Sequence, residues 1–197
     1  KKDMWSIKKR EQAVSMLPVH YQAEATRIMQ HLDMIQENLE AIDEETRAVL
    51  KEHGEYSALI MSMPGIGPVT ALVLLAYVGK CERFSRGKQL GYYAGIVPRV
   101  DISGDSVRYG RILSRGCGAL RRVIIQCANS LVRSECSGEL GLFYERLSSR
   151  LGHKKAIVAV ARKMLEVIYV MIKSGEKYRY ANDEFIDKKL KSYGLAA

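Results

Sequence analysis

The sequence predicts a mainly α-helical protein, with a long heptad-patterned helical arm followed by a compact helical domain containing a helix-hairpin-helix motif. Three observations carry that expectation. Apolar residues recur at alternating spacings of four and three between Tyr21 and Val49. Two short apolar segments then flank a Pro-Gly-Ile-Gly-Pro turn, and helical periodicity returns over 119–131 and 154–173. Residues 1–53 are expected to form the arm and 54–197 the domain.

The arm is argued from its seam: Tyr21, Ala25, Ile28, Leu32, Ile35, Leu39, Ile42, Thr46 and Val49. The intervening positions are mostly Glu, Gln, Asp and Arg, so one narrow stripe is offered for burial, as in a coiled coil. Pro18 sits near the start and Gly54 stops the helix. Pairing with another helix, and a long helix lying on its own domain, both satisfy this pattern.

Next come apolar segments over Tyr56 to Met61 and Val69 to Val78, separated by Met63-Pro64-Gly65-Ile66-Gly67-Pro68. Gly65 and Gly67 permit a tight turn with exposed backbone N–H groups at the start of the second helix, where helix dipole and donors both favour a phosphate oxygen. Ile66 anchors the turn, Pro68 suits a first helical turn, and Ala71 lets the two helices approach. A glycine turn that touches no ligand is the plainer alternative. The glycines and proline between Gly79 and Arg115 exclude a long helix there, and the strand character of Val97 to Ile112 is limited to edge or hairpin pieces. Residues 182–191 suit one more short helix.

Composition narrows the function classes. A chain of 197 residues, 47% apolar and 27% charged, has material for one good core or a core plus an arm. No membrane span is expected, since the apolar run Pro68 to Val78 stops at Gly79-Lys80 and the later one contains Arg162, Lys163 and Glu166. The chain shows no signal peptide and opens at Lys1 rather than methionine, so it is read as a piece of a longer protein. Cys81, Cys117, Cys127 and Cys136 have no metal-ligand spacing and His20, His31, His53 and His153 are scattered, so reduced thiols, no metal site and a cytoplasmic location are expected.

The formal charge of +9 is unevenly placed. Residues 80–122 carry ten Lys/Arg against three Asp/Glu, whereas residues 1–53 carry eight against ten. Such local self-repulsion is relieved by a polyanion, which makes nucleic acid the natural partner; a solvated basic face is the alternative.

That basic segment contains Gly91-Tyr92-Tyr93-Ala94-Gly95-Ile96-Val97-Pro98-Arg99, then Ser103-Gly104, Tyr109-Gly110-Arg111-Ile112, Arg115-Gly116 and Leu120-Arg121-Arg122. With the glycine hairpin and the Leu74 to Phe84 stretch, this order resembles the C-terminal serine domain of the DEDD-type insertion-sequence transposases, relatives of the pilin-gene invertase and the bridge-RNA-guided recombinases. The resemblance spans Met61 to Ala128. It implies a DNA recombinase in which Ser103, matching the family's Ser-Gly motif, attacks DNA and becomes linked to a phosphate. It further implies a separate N-terminal RuvC-like domain, outside this chain, whose four acidic residues bind magnesium, so no cofactor is expected in the fragment itself. A structured guide RNA is a further partner among the relatives. The family's helical arm aids dimerisation and is similar in placement to Tyr21 to Val49, so the resemblance implies a homo-oligomer. Many relatives have Asn, Ser or Asp after the Arg-Gly pair; this chain has Cys117.

The same residues make chemical sense without the family. A serine hydroxyl needs activation, and the charge developing on a phosphoryl group wants preorganised guanidinium donors. Arg99, Arg108, Arg111, Arg115, Arg121 and Arg122 are the candidates, beside the backbone of Gly65, Ile66 and Gly67. No histidine is near Ser103 in sequence, so activation is expected from metal or from the acidic domain. Ser103 in Ser-Gly-Asp also reads as a turn serine. Ser85, Ser106 and Ser114 have plainer capping, phosphate-contact or turn readings, and Tyr92 and Tyr93 suit either base stacking or packing. A non-catalytic helix-hairpin-helix module that docks nucleic acid is the rival function, and the basic surface does not separate DNA from RNA.

Overall fold

The computed structural model describes residues 6–103, 106–113 and 115–195. The chain divides into two compact units, Lys1–Glu45 and Thr46–Ala197. In the first, α1 (Ile7–Ser15) precedes the long helix α2 (Val19–Glu52). Pro18 lies just ahead of α2, and the Pro18 carbonyl accepts from Tyr21 N–H at 2.8 Å. The Gln22 amide donates to the Leu17 carbonyl at 2.9 Å, and the Arg10 guanidinium pairs with Asp33, so α1 folds back along the start of α2. The seam positions Tyr21, Ile28, Leu32, Ile35, Leu39 and Ile42 lie on this helix and are all between 41 and 57% exposed.

The second unit begins with the last turns of α2, where Thr46 and Leu50 are buried. It continues through α3 (Gly54–Met61), α4 (Pro68–Tyr77), α5 (Lys88–Tyr93), strands β1 (Pro98–Ser103) and β2 (Ser106–Ile112), α6 (Gly118–Leu131), a 3-10 turn at Glu135–Ser137, α7 (Glu139–Leu151), α8 (His153–Ser174) and α9 (Asp183–Ser192). The described residues are therefore mainly α, with one antiparallel pair, β1–β2. None of their helices is long and apolar enough to cross a membrane.

Helix α8 is the central element, and α3, α5, α6 and α7 all pack on it. Its sequence explains why. Ile157, Val160, Ala161, Met164, Leu165, Ile168 and Met171 recur every three or four residues and all are buried. Each of the larger aliphatic side chains contributes about 1.5–3 kcal/mol by leaving water. Gly175 in the left-handed conformation ends the helix.

Helices α3 and α4 flank the Pro64-Gly65-Ile66-Gly67 turn and pack against each other. Ile66 is fully buried, Gly67 is the N-cap of α4, and Pro68 occupies its first turn. The need for glycine at 65 has a source beyond turn geometry. Its φ is +82°, and a Cβ there would stand 2.4 Å from the Cys127 carbonyl oxygen of α6. One turn N–H, that of Ile66, is already committed to the Met63 carbonyl at 3.4 Å.

The exit of α3 is closed by distant residues. The Lys189 ammonium on α9 donates to the carbonyls of Met61 and Met63 at 2.7 and 2.8 Å. Tyr178 N–H donates to the Ser62 hydroxyl at 2.8 Å. Burial pushes the Lys189 ammonium down from 10.5 to about 8. Between those values the unfolded chain holds a proton that the folded chain has released, so this group's contribution to stability rises with pH through the window and is lost as pH falls through about 8. The buried thiols of Cys81 and Cys127, pushed up by burial, act in the opposite sense at alkaline pH. The melting temperature of the parent relative to Lys189→Met is therefore expected to increase from about pH 7.5 to about pH 10. A flat difference would mean that the two carbonyls keep the ammonium charged.

Candidate nucleic-acid interface

The site is built on a crossing of two glycines. Gly95, just after α5, has φ +70°, and a Cβ on it would lie 2.2 Å from the Arg115 carbonyl oxygen. Gly116 has φ +120°, and a Cβ on it would lie 2.7 Å from the Tyr93 carbonyl oxygen. Two backbones thus pass at a separation that side chains forbid. Hydrogen bonds lock the crossing: Cys117 N–H donates to the Tyr93 carbonyl at 2.8 Å and Leu113 N–H to the Val97 carbonyl at 3.0 Å. Beneath it, the Arg121 guanidinium donates to the Leu113 carbonyl at 2.7 Å and to the Gly95 carbonyl at 3.4 Å.

This crossing brings the ends of β1 and β2 beside α5 and leaves an open hollow of about 1180 Å³. Four arginines line it, Arg83, Arg99, Arg111 and Arg115, together with Gln89 and Tyr92. No acidic side chain is among its described lining residues. Arg83 is held in place, since its guanidinium lies over the rings of Phe84 (5.0 Å) and Tyr93 (4.8 Å) and donates to the Tyr77 carbonyl. Four like charges around one concave surface repel one another, and a polyanion that bridges them reverses the sign of that energy. Planar guanidiniums suit the oxygens of phosphate groups.

The segment that builds the hollow is also the segment with recognisable relatives. Residues 57–145 match the family model of the Transposase IS116/IS110/IS902 family. The family segment runs from α3 into α7 and contains the helical hairpin, the glycine crossing and every residue named in the hollow. The chain is 34% identical over 139 residues to a Coxiella burnetii protein named "Transposase for insertion sequence element IS1111A", covering 70% of this chain and 38% of that protein. It is 29% identical over 148 residues to the Streptomyces coelicolor "Insertion element IS110 uncharacterized 43.6 kDa protein", covering 75% and 36%. It is also 30% identical over 124 residues to the "Pilin gene-inverting protein" of Moraxella lacunata, covering 62% and 38%. The chain thus spans less than two fifths of the length of each of these three relatives.

Within the family segment the residues singled out from sequence fall into four groups. Arg99, Arg111 and Arg115 meet in the hollow. Arg121 is half-buried and donates to two main-chain carbonyls, so it also supports the crossing. Arg108 and Arg122 are exposed but are not among the hollow's lining residues. Gly65, Ile66 and Gly67 belong to the helical hairpin and do not line the hollow either, so the turn and the arginines are separate features. Gly65 and Gly67 are half-buried.

Ser103 is exposed at the end of β1, facing Ser106 across the hairpin, and its carbonyl accepts the Ser106 hydroxyl at 3.0 Å. Four residues of strand separate it from Arg99, roughly 13 Å at the usual rise. Gly104 and Asp105, which follow it, and Ser114 lie outside the described residues. Ser85 is tied locally, its N–H donating to the Gln89 side chain at 2.8 Å. Tyr93 is half-buried against Phe84, with ring centroids 5.6 Å apart, whereas Tyr92 is 67% exposed. Among the described residues no group of three His, Cys, Asp or Glu could hold a metal ion.

Sequence reasoning missed Arg83. The signal was present: an arginine followed by an aromatic residue, inside the most basic stretch of the chain.

Proposed function

We propose that this chain is the DNA-gripping, serine-bearing part of a transposase or site-specific recombinase. The observation that carries the reading is the hollow of four arginines, with no acidic side chain among its described lining residues, inside the segment that matches a transposase family. In this reading the hollow holds the sugar-phosphate backbone beside the strand end that bears Ser103. The turn at Gly65 to Gly67 and the exposed Arg108 and Arg122 add contacts to neighbouring phosphates. The Ser103 hydroxyl oxygen attacks phosphorus and forms a serine–phosphate ester. The bond to the departing DNA oxygen breaks, the serine proton passes to a base, and the departing oxygen takes up a proton. The arginines hold the flanking phosphates, roughly 13 Å along the strand from the hydroxyl, and so position the one that is attacked.

The base belongs to an N-terminal RuvC-like acidic half, whose magnesium would supply further stabilisation of phosphate charge; the described residues gather no such ligand set. The exposed seam of α2 supports pairing of the arm with that of a second copy. DNA is the partner the relatives' names favour, and guide RNA stays within the same proposal as a second strand for the basic surface.

Covalent trapping tests it. The full-length protein, incubated with a nicked DNA carrying its cognate ends, is expected to yield a protein–DNA adduct that survives denaturation and maps to Ser103 by peptide mass spectrometry. Reversible, salt-sensitive binding with no adduct would leave a non-catalytic nucleic-acid-binding module instead.

A further inference from the structure

A second, smaller hollow of about 610 Å³ lies beside the first and is lined by Lys88, Arg99, Arg162 and Glu166, among others. Glu166 already pairs with Lys163 at 2.9 Å, which leaves the hollow with an excess of positive charge. The two hollows share Tyr92, Arg99 and Leu113. Tyr92 therefore stands on the ridge between two cationic depressions, with two thirds of its surface open at 67% exposure. Its neighbour Tyr93 has the ordinary task, filling space against Phe84 and carrying Arg83.

An exposed aromatic ring flanked on both sides by cations is the arrangement that binds an unpaired nucleotide: phosphates go to the cations and the base lies on the ring. A base inside a duplex cannot use such a ring, because both of its faces are already stacked. We propose that Tyr92 is a stacking platform for an unpaired base, with the strand crossing the ridge so that successive phosphates fall in the hollow of Arg83, Arg111 and Arg115 and in that of Lys88 and Arg162. This rests on the reading of the hollow as a nucleic-acid site, and adds that the strand held there is locally unpaired. The shared chemistry is a base on a sugar-phosphate strand, from DNA or from RNA.

The test is equilibrium binding of this chain to short single strands, of DNA and of RNA, containing 2-aminopurine, and to the matched blunt duplex. Binding of at least one single strand is expected to quench the 2-aminopurine emission. Tyr92→Ala should weaken that binding about tenfold, the size of one base stacked on an aromatic ring, while changing duplex affinity by less than about twofold. Tyr92→Phe should retain parent affinity, and a double Arg111→Ala, Arg115→Ala variant should weaken strand and duplex alike. Because Tyr92 is so exposed, the alanine variant should melt with the parent. Loss confined to the DNA or to the RNA strand identifies the source and supports the platform. An unquenched signal, or equal effects of Tyr92→Ala on strand and duplex, overturns it. Failure of the parent to bind any oligonucleotide would sink the nucleic-acid reading itself, whereas absence of a Ser103 adduct would leave the platform standing.

Discussion

Replacing Ser103 with alanine is expected to lower DNA strand cleavage by the full-length protein on the order of 10⁴-fold or more, as loss of a sole nucleophile does. DNA affinity should change by less than about threefold. The affinity claim follows from position: Ser103 is exposed at the strand end, and one neutral hydroxyl contributes little net binding where water can replace it. The cleavage claim follows from the proposed ester, which no methyl group can form. Ser106→Ala is the control. Its hydroxyl already donates to the Ser103 carbonyl at 3.0 Å, so its loss should loosen the turn and slow cleavage modestly without removing it. Cleavage rates on a labelled substrate, with binding measured alongside, separate the two. Cleavage that survives Ser103→Ala would remove the serine from the mechanism.

Gly95→Ala should have the other large effect, on stability and the hollow together. The substitution asks an alanine to hold φ +70° and sets its methyl 2.2 Å from the Arg115 carbonyl oxygen, so main chain must move. A left-handed alanine costs about 1 kcal/mol and the overlap a further 1–3 kcal/mol, for a loss of about 3 kcal/mol in urea unfolding. The segment that must yield carries Arg115 and Gly116, so oligonucleotide binding should weaken even where the variant remains folded. Gly110→Ala provides the contrast. Its methyl would meet only ordinary contacts, with the Arg99 Cβ at 3.7 Å, and its stability should stay within about 1 kcal/mol of the parent. Equal destabilisation by both substitutions would show that the crossing is not what demands glycine at 95.

These two predictions also mark the limits of what could be read from residues alone. The long helix was legible because a heptad seam is a pattern within one segment, and so were α8 and the pair of helices around Pro64 to Gly67. Helices α1 and α7 were not anticipated. The apolar positions of α7, Leu140, Phe143, Tyr144 and Leu147, are diluted by Ser148, Ser149 and four charged residues, so its helicity depends on packing against α8. Arginine counting located the basic middle but could not say which guanidiniums converge. Arg121 was grouped with the others by sequence, and only the main-chain carbonyls of Gly95 and Leu113, 26 and 8 residues away, reveal its structural task. In the same way Gly65, Gly95 and Gly116 read as local turn formers, while their strongest constraint comes from backbone brought near by the fold. Charge and periodicity are local in the chain; convergence is not.

The bonds from Lys189 to Met61 and Met63 span 128 and 126 residues. Translation therefore delivers the donor long after the carbonyls it serves. Until α9 has left the ribosome, those two oxygens lack this donor and are left to water. A chain that stopped short of Lys189 would have its central helix α8 in place and those two carbonyls still in water, and should be the better substrate for chaperones and proteases.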